Sequence, residues 1–521
     1  MKLRFFVCAL VPLLAAAQSL QDFEKRVTEF TLANGIHFII LERHEAPVVS
    51  FHSYVNAGAV NDPSGQTGIA HMFEHMAFKG TESIGTKDFP AEKKAMDEVE
   101  RIYDLYDAEL AKGRKANEER LKSLEADLKA AMDKANSYVI PNAYPEIIEQ
   151  NGGVGLNAET GEDATQFFYS LPSNRLELWF LLEAERFYDP VFREFYKERD
   201  VVREEIRMRV ESNPQGRLMQ MLLATAFAAH PYRNGPGGWA SDIEHFRVPD
   251  AVRFYRKYYV PANITIGIAG DVNPAECRRL AERYFGILPA HPLPEDFPTT
   301  EPAQDGEKTV HVESPAQPFV AIAYKRPDGN DKSDPVFDMI QEILSGGRTS
   351  MLYTDMVRDK RIALGAFAGA SDPGEKYPNL FVIFLVPNSG HTIDENLKEC
   401  YAVLERLKTQ PVDDETLRRV RTKLRASLIH QLDNNAGMAS ELTMFYAMYG
   451  DWRKLFTQLD EYDHITAADI QRVARQYFVP DTRTVASIVA PRPTAPAAPA
   501  GTGPQGAPAT SPKPADNGGA K

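Results

Sequence analysis

The sequence predicts an α+β protein made of two homologous domains. Each is a sheet rich in antiparallel strands packed with helices, and the first carries a helical-hairpin insertion. Three observations predict this. Residues Asp250 to Pro261 (DAVRFYRKYYVP) resemble Asp469 to Pro480 (DIQRVARQYFVP), and each stretch precedes a strand. The apolar helical stretch beginning at His71 has a counterpart at Asp338 to Gly347. Between that helix and the repeat, the first copy holds an extra Ala/Glu/Lys/Leu-rich segment whose length accounts for its greater size. Self-similarity of this kind reads as a duplicated unit of roughly 200 residues.

Composition narrows the function classes. At 521 residues the chain is too long for one core. A formal net charge of −14 argues against a nucleic-acid partner, which calls for basic patches. Lys2 and Arg4, the apolar run Phe5 to Leu14 and the small residues Ala15-Ala16-Ala17 form a signal peptide at 1–17. The mature protein is expected to be exported, periplasmic or secreted, with no membrane span. Of the three cysteines, Cys8 lies in the signal, so Cys277 and Cys400 make no disulfide framework.

Phe30 to Leu41 reads as two strands about an Asn34-Gly35 turn, and Pro47 to Val55 as a third. A loop then delivers the helix containing His71-Met72-Phe73-Glu74-His75. The insertion, at about 91–140, has apolar residues at helical spacing (Ile102, Leu105, Tyr106; Leu121, Leu124, Leu128) and a break near Gly113. It reads as a solvated helical hairpin without chemical role. Gly152 to Thr160 reads as a loop before the strand Thr165 to Ser170. Helices are expected at 175–188, 192–210 and 249–259, with a strand at 263–269. A Pro-rich acidic stretch is the linker, and the Ala/Pro/Gly-rich end cannot bury enough surface to fold. The expected layout is a metal-binding domain at 22–288, a linker at 289–308, a homologous domain at 309–491 and a disordered tail at 492–521.

His71 and His75 stand four apart in a Gly- and Pro-free helical run, so both imidazoles share one face and can reach one metal ion. Imidazole suits zinc, and two nitrogens leave room for a third protein ligand and a water. Glu74 sits at the rim, where a carboxylate can take a proton from water acidified by zinc. The order H-x-x-E-H is the inverzincin signature, although three fixed positions also arise on ordinary helices. The counterpart helix has Asp338, Gln341 and Glu342 at these positions, so the second copy cannot repeat the site. Glu198 and Glu205, seven apart, share a helix face with Val201 and Val202. On spacing alone that helix reads rather as a charged surface helix paired through Arg199, Arg203 and Arg207.

Taken together, the H-x-x-E-H helix with its Phe78-Lys79-Gly80-Thr81 tail, Asn157-Ala158-Glu159-Thr160, Glu198 to Glu205, Val260-Pro261 with Gly270-Asp271, and the repeat are highly specific. The chain resembles the pitrilysin/insulinase family of zinc metallopeptidases, in particular its shorter bacterial and processing-peptidase-like members, from about Phe30 to Ala490. The resemblance implies a half-clamshell fold and a zinc-dependent endopeptidase with one zinc ion per chain. It makes His71, His75 and Glu205 the ligands, Glu74 the general base and Glu198 a supporting carboxylate. It places Asn157 and Ala158 near an edge strand that pairs with an extended peptide substrate, and Arg358 at the substrate carbonyl. It also implies a homodimer, or a heterodimer with a related subunit. One position departs. Gly365 stands where the family offers a Tyr, which removes a hydrogen-bond donor whose loss elsewhere costs on the order of 100- to 1000-fold in rate. Either a partner supplies a substitute or the enzyme is slow. The alternative reading is a weakly catalytic or non-catalytic peptide-binding subunit.

Overall fold

The structure, a computed structural model, describes residues 23–491. The expected signal peptide at 1–17 and tail at 492–521 lie outside the described residues. In the first half, strands β1 (Val27–Thr31), β2 (His37–Glu42) and β3 (Val48–Val55) lead to helix α1 (Ile69–Met76). Helices α2 (Phe89–Leu110), α3 (Glu118–Asn136) and α4 (Ala143–Gln150) follow, then strands β4 (Val154–Thr160) and β5 (Thr165–Pro172). The half continues through α5 (Leu176–Tyr188), α6 (Phe195–Ile206), α7 (Pro214–Ala226), α8 (Ala240–Glu244), α9 (Val248–Tyr258), β6 (Ile264–Gly270) and α10 (Pro274–Tyr284). The second half contains β7 (Lys308–Glu313), β8 (Phe319–Arg326), α11 (Asp334–Ser345), β9 (Ala363–Asp372) and β10 (Asn379–Pro387). It closes with α12 (Ile393–Thr409), α13 (Asp414–Gln431), α14 (Asn435–Tyr449), α15 (Lys454–His464), α16 (Ala467–Tyr477) and β11 (Arg483–Val489).

The two sheets share one topology. The first runs β1-β2-β6-β3-β5-β4 and the second β7-β11-β8-β10-β9. In both, one parallel pair (β2 with β6, β7 with β11) begins a series of antiparallel neighbours. The repeated sequence falls on α9 just before β6, and again on α16 just before β11. The first sheet has one strand more, because the Asn34-Gly35 turn folds β1 back on β2 with Thr31 opposite His37. Gly35 has φ 106°, a left-handed conformation the turn requires.

Gly152 to Thr160 departs from expectation: most of this stretch is the edge strand β4 rather than a loop. Its residues are exposed or half-buried throughout, so it lacks the alternating apolar signal of a covered strand. The expected helix at 192–210 is α6 followed by a π turn at Arg207–Glu211. Cys277 and Cys400 are buried free thiols. No helix among the described residues is long and apolar enough to cross a membrane.

The halves exchange helices. Leu218, Leu222 and Ala226 of α7 pack on Ala321, Ala323 and Ala486 of the second sheet. Reciprocally, Met438, Ala439 and Leu442 of α14 pack on Ile39, Leu41 and Ala269 of the first. At this seam a Cβ on Gly267 would stand 2.0 Å from Thr443 Oγ1 and 2.5 Å from the Ala439 carbonyl. Gly267→Ala should therefore destabilise the protein by about 1–3 kcal/mol, read as a lowered midpoint in denaturant unfolding.

Candidate metal centre

Helix α1 buries Ile69, Ala70, Met72, Phe73 and Met76 in the first core, which turns His71, Glu74 and His75 away from the sheet. Its start is fixed by Asp62, whose carboxylate accepts from the backbone N–H of Gly68 at 2.6 Å and of Ala70 at 3.0 Å. An acceptor there satisfies donors that a helix N-terminus leaves free. Gly68, at φ 92°, makes the turn into the helix.

Helix α6 crosses beside α1 and brings its two carboxylates to the histidines. Glu205 Oε1 lies 3.8 Å from His71 Nε2, and Glu205 Oε2 lies 3.5 Å from His75 Nε2. One ligand atom from each of His71, His75 and Glu205 falls within 4.8 Å of the others. Atoms sharing a tetrahedral zinc ion at 2.0–2.1 Å stand about 3.4 Å apart, so these gaps, too long for good hydrogen bonds, fit a common ion. Glu198 Oε2 stands 3.5 Å from His75 Nδ1, the nitrogen facing away from Glu205. A carboxylate on the far nitrogen fixes a ligating imidazole's tautomer and orientation.

The electrostatics of the site pull the two imidazoles in opposite directions. Burial, with the charges of His75 and Arg209, pushes His71 down to about 3, so its imidazole is neutral and free to ligate. Burial works against a charge on His75, but the facing carboxylates of Glu198 and Glu205 outweigh it and raise its pKa. Burial also opposes the Glu198 charge, yet hydrogen bonds from His75 and Lys79 hold that carboxyl at about 2. Burial raises Glu74 above the usual carboxylate range, against the hydrogen bond from Thr160.

Of the expected site residues, His71, His75, Glu205, Glu74 and Glu198 come together, although α1 and α6 are far apart in the chain. Asn157 and Ala158 lie on β4, whose outer edge has no strand neighbour among the described residues. The last residue of β4, Thr160, donates its hydroxyl to Glu74 Oε2 at 2.5 Å and so ties that edge to the centre. Arg358 lies in a π turn, Tyr353–Asp359, where its guanidinium is half-exposed and paired with Asp359 at 2.6 Å. Gly365 lies on β9, and the ring of Phe367, 56% exposed, covers the place a side chain would take. That ring offers no hydrogen-bond donor.

Asp62, Thr160 and Lys79 also serve the site, without a signal in the sequence that assigns them a role. Thr160 and Lys79 lie within quoted motifs; Asp62 carries no local signal beyond an acid ahead of a helix. Thr160→Val removes the hydroxyl that orients Glu74. It should lower peptide turnover by about tenfold or more while zinc content is unchanged, as measured by kinetics beside elemental analysis.

A helix-borne histidine pair with a carboxylate between them, completed by a glutamate from a neighbouring helix, is the donor set of a metallopeptidase centre. Comparison with known proteins gives the family. The model described as insulinase, peptidase family M16, matches residues 38–98 and 129–236, and the peptidase M16 inactive domain matches 246–424. The chain belongs to this family. The break between 98 and 129 falls in the α2–α3 hairpin. Among curated relatives, the zinc protease PqqE of Helicobacter pylori is 27% identical over 92% of this chain and 96% of its own length. The uncharacterized zinc protease YmxG of Bacillus subtilis is 19% identical over 87% of this chain and 96% of its own. Among solved structures, a protease from Helicobacter pylori aligns with TM-score 0.73 and 25% identity, covering 89% of this chain and 99% of that one. The first half of the periplasmic protease PqqL from Escherichia coli aligns with TM-score 0.65 and 16% identity, covering 89% and 92%. That second likeness is one of fold.

Proposed function

We propose that the protein is a zinc-dependent endopeptidase acting on peptides or unfolded segments, with one zinc ion held by His71, His75 and Glu205. The observation that carries this is the convergence of those three donors beside Glu74, in a family whose relatives bear the name zinc protease. Bound there, zinc supplies Lewis-acid polarisation of the scissile carbonyl and a water acidified towards neutrality. Glu74, at the rim of the site, would be the group that accepts a proton there and returns it to the leaving amine. Thr160 holds the Glu74 carboxylate, and Glu198 orients His75. The open edge of β4, with Asn157 and Ala158, offers main-chain hydrogen bonds to an extended peptide whatever its sequence. Three donors without cysteine suit a catalytic zinc better than a structural one, which takes four protein ligands.

The chain covers 48% of full-length PqqL, so pairing with a second chain, alike or related, is the reading for a complete chamber. Arg358 would meet substrate within such an assembly. A periplasmic or secreted location accords with the description of PqqL as periplasmic.

One observation favours a second reading. With Gly365 under the Phe367 ring, β9 lacks the donor expected at the substrate carbonyl, as suits a subunit that binds peptides and hydrolyses them poorly. Cleavage of a quenched-fluorescent peptide library, with chelator and zinc add-back, separates the two. Chelator-sensitive, zinc-restored cleavage supports the endopeptidase, and intact peptides with a zinc-loaded chain support the binding subunit.

A further inference from the structure

The α2–α3 hairpin is charged along most of its length, yet Glu92 in the first turn of α2 is fully buried and paired with the equally buried Arg193. Arg193 spends all five of its N–H donors. Nε donates to Glu92 Oε1 at 2.8 Å, and Nη2 to Glu92 Oε2 at 3.3 Å and the Thr81 carbonyl at 2.7 Å. Nη1 donates to the carbonyls of Lys79 at 2.5 Å and Ile84 at 2.9 Å. The 79–85 loop, which leaves α1 just past His75, is thus wrapped around one guanidinium. Its two glycines permit this. A Cβ on Gly85 would stand 2.9 Å from Arg193 Nη1, and one on Gly80 would stand 3.1 Å from it; both have positive φ.

The next residue, Glu194, holds the same Lys79 from the other end, accepting from its ammonium at 3.1 Å. Lys79 also donates to Glu198, which faces His75 Nδ1. Glu194 adopts φ 57° at the entrance to α6, a conformation uncommon for a residue other than glycine. The line of contact therefore runs from the hairpin through Glu92, Arg193, Lys79 and Glu198 to a metal-facing imidazole. Farther along, Arg247 pairs with Glu100, Asp104 and Asp107 of α2, and Tyr196 of α6 donates to Glu100 at 2.7 Å. These contacts clamp α2 along the helix that carries Glu198 and Glu205.

We propose that the hairpin is a brace for the metal centre, in which Glu92 and Arg193 are positioning residues that set His75 through Lys79 and Glu198. The proposal rests on the zinc reading above. A hairpin with a merely structural role would, when loosened, lower stability and leave the metal's surroundings unchanged. Partners behind a ligating histidine instead tune affinity by about 10- to 100-fold.

The test uses the full mature chain. Zinc affinity is measured by competition with a chromophoric chelator, and the visible spectrum is recorded for the Co2+-substituted protein. Glu92→Gln and Lys79→Ala should each weaken zinc by about 10- to 100-fold and alter the cobalt spectrum, while Lys79→Arg recovers most of both. A folded Glu92→Gln protein with wild-type affinity and spectrum would overturn the proposal, whatever Lys79→Ala shows. Glu92→Gln leaves a buried guanidinium unpaired. If that variant does not fold, Lys79→Ala decides, and wild-type zinc affinity and cobalt spectrum in it overturn the brace. A wild-type chain that binds no zinc is a separate result, seen before any variant is made, and it overturns the metal-centre reading together with the brace.

Discussion

Replacing Glu74 by Gln is expected to lower peptide hydrolysis by about 100- to 10,000-fold, the range of a lost general base, while zinc stays bound. Glu74 is outside the trio of donors that converge, so its charge is not needed to hold the ion. The amide has the same shape, and its oxygen can still accept from Thr160. What it cannot do is take a proton. Steady-state kinetics with zinc content measured on the same sample checks this. Retained hydrolysis in a zinc-loaded, contaminant-free variant would sink the assignment of Glu74 as base.

The second large effect separates two adjacent glutamates. Glu205→Ala removes a ligand and should weaken zinc by more than the 10- to 100-fold typical of residues behind the ligands, with activity falling in parallel. Glu204→Ala should change neither. Glu204 is half-exposed and paired with Arg207 at 2.6 Å, whereas Glu205 faces both histidines. Chelator competition on the two variants side by side gives the answer. Equal loss in both would mean that α6 does not present Glu205 as proposed.

The parts of this molecule that were legible in its sequence are those governed by short-range rules. An i,i+4 histidine pair on an apolar helix announces a shared face, and Asn34-Gly35 announces a hairpin. The duplication was legible because α9–β6 and α16–β11 kept similar residues. Glu205 was not readable from spacing alone. Its meaning depends on α6 crossing α1, and an isolated charged helix with arginines at the same intervals looks alike. The strand β4 reads as a loop in sequence because an edge with no fully buried residue carries no burial signal. The exchange of α7 and α14 between the sheets has no local signature, since neither helix carries a residue pattern that names its acceptor sheet. Glu92 illustrates the same limit. Among the many acids of the hairpin nothing in the sequence marks Glu92 as fully buried, and its partner there is the guanidinium of Arg193.

The most direct test of the central claim is an anomalous difference map from crystals of the zinc-loaded protein, collected on the two sides of the zinc absorption edge. The account predicts one strong peak per chain at about 2.0–2.2 Å from His71 Nε2, His75 Nε2 and a Glu205 oxygen, with Glu74 beside it and not among its ligands. No peak there, a peak elsewhere, or a fourth protein ligand closing the site would contradict it.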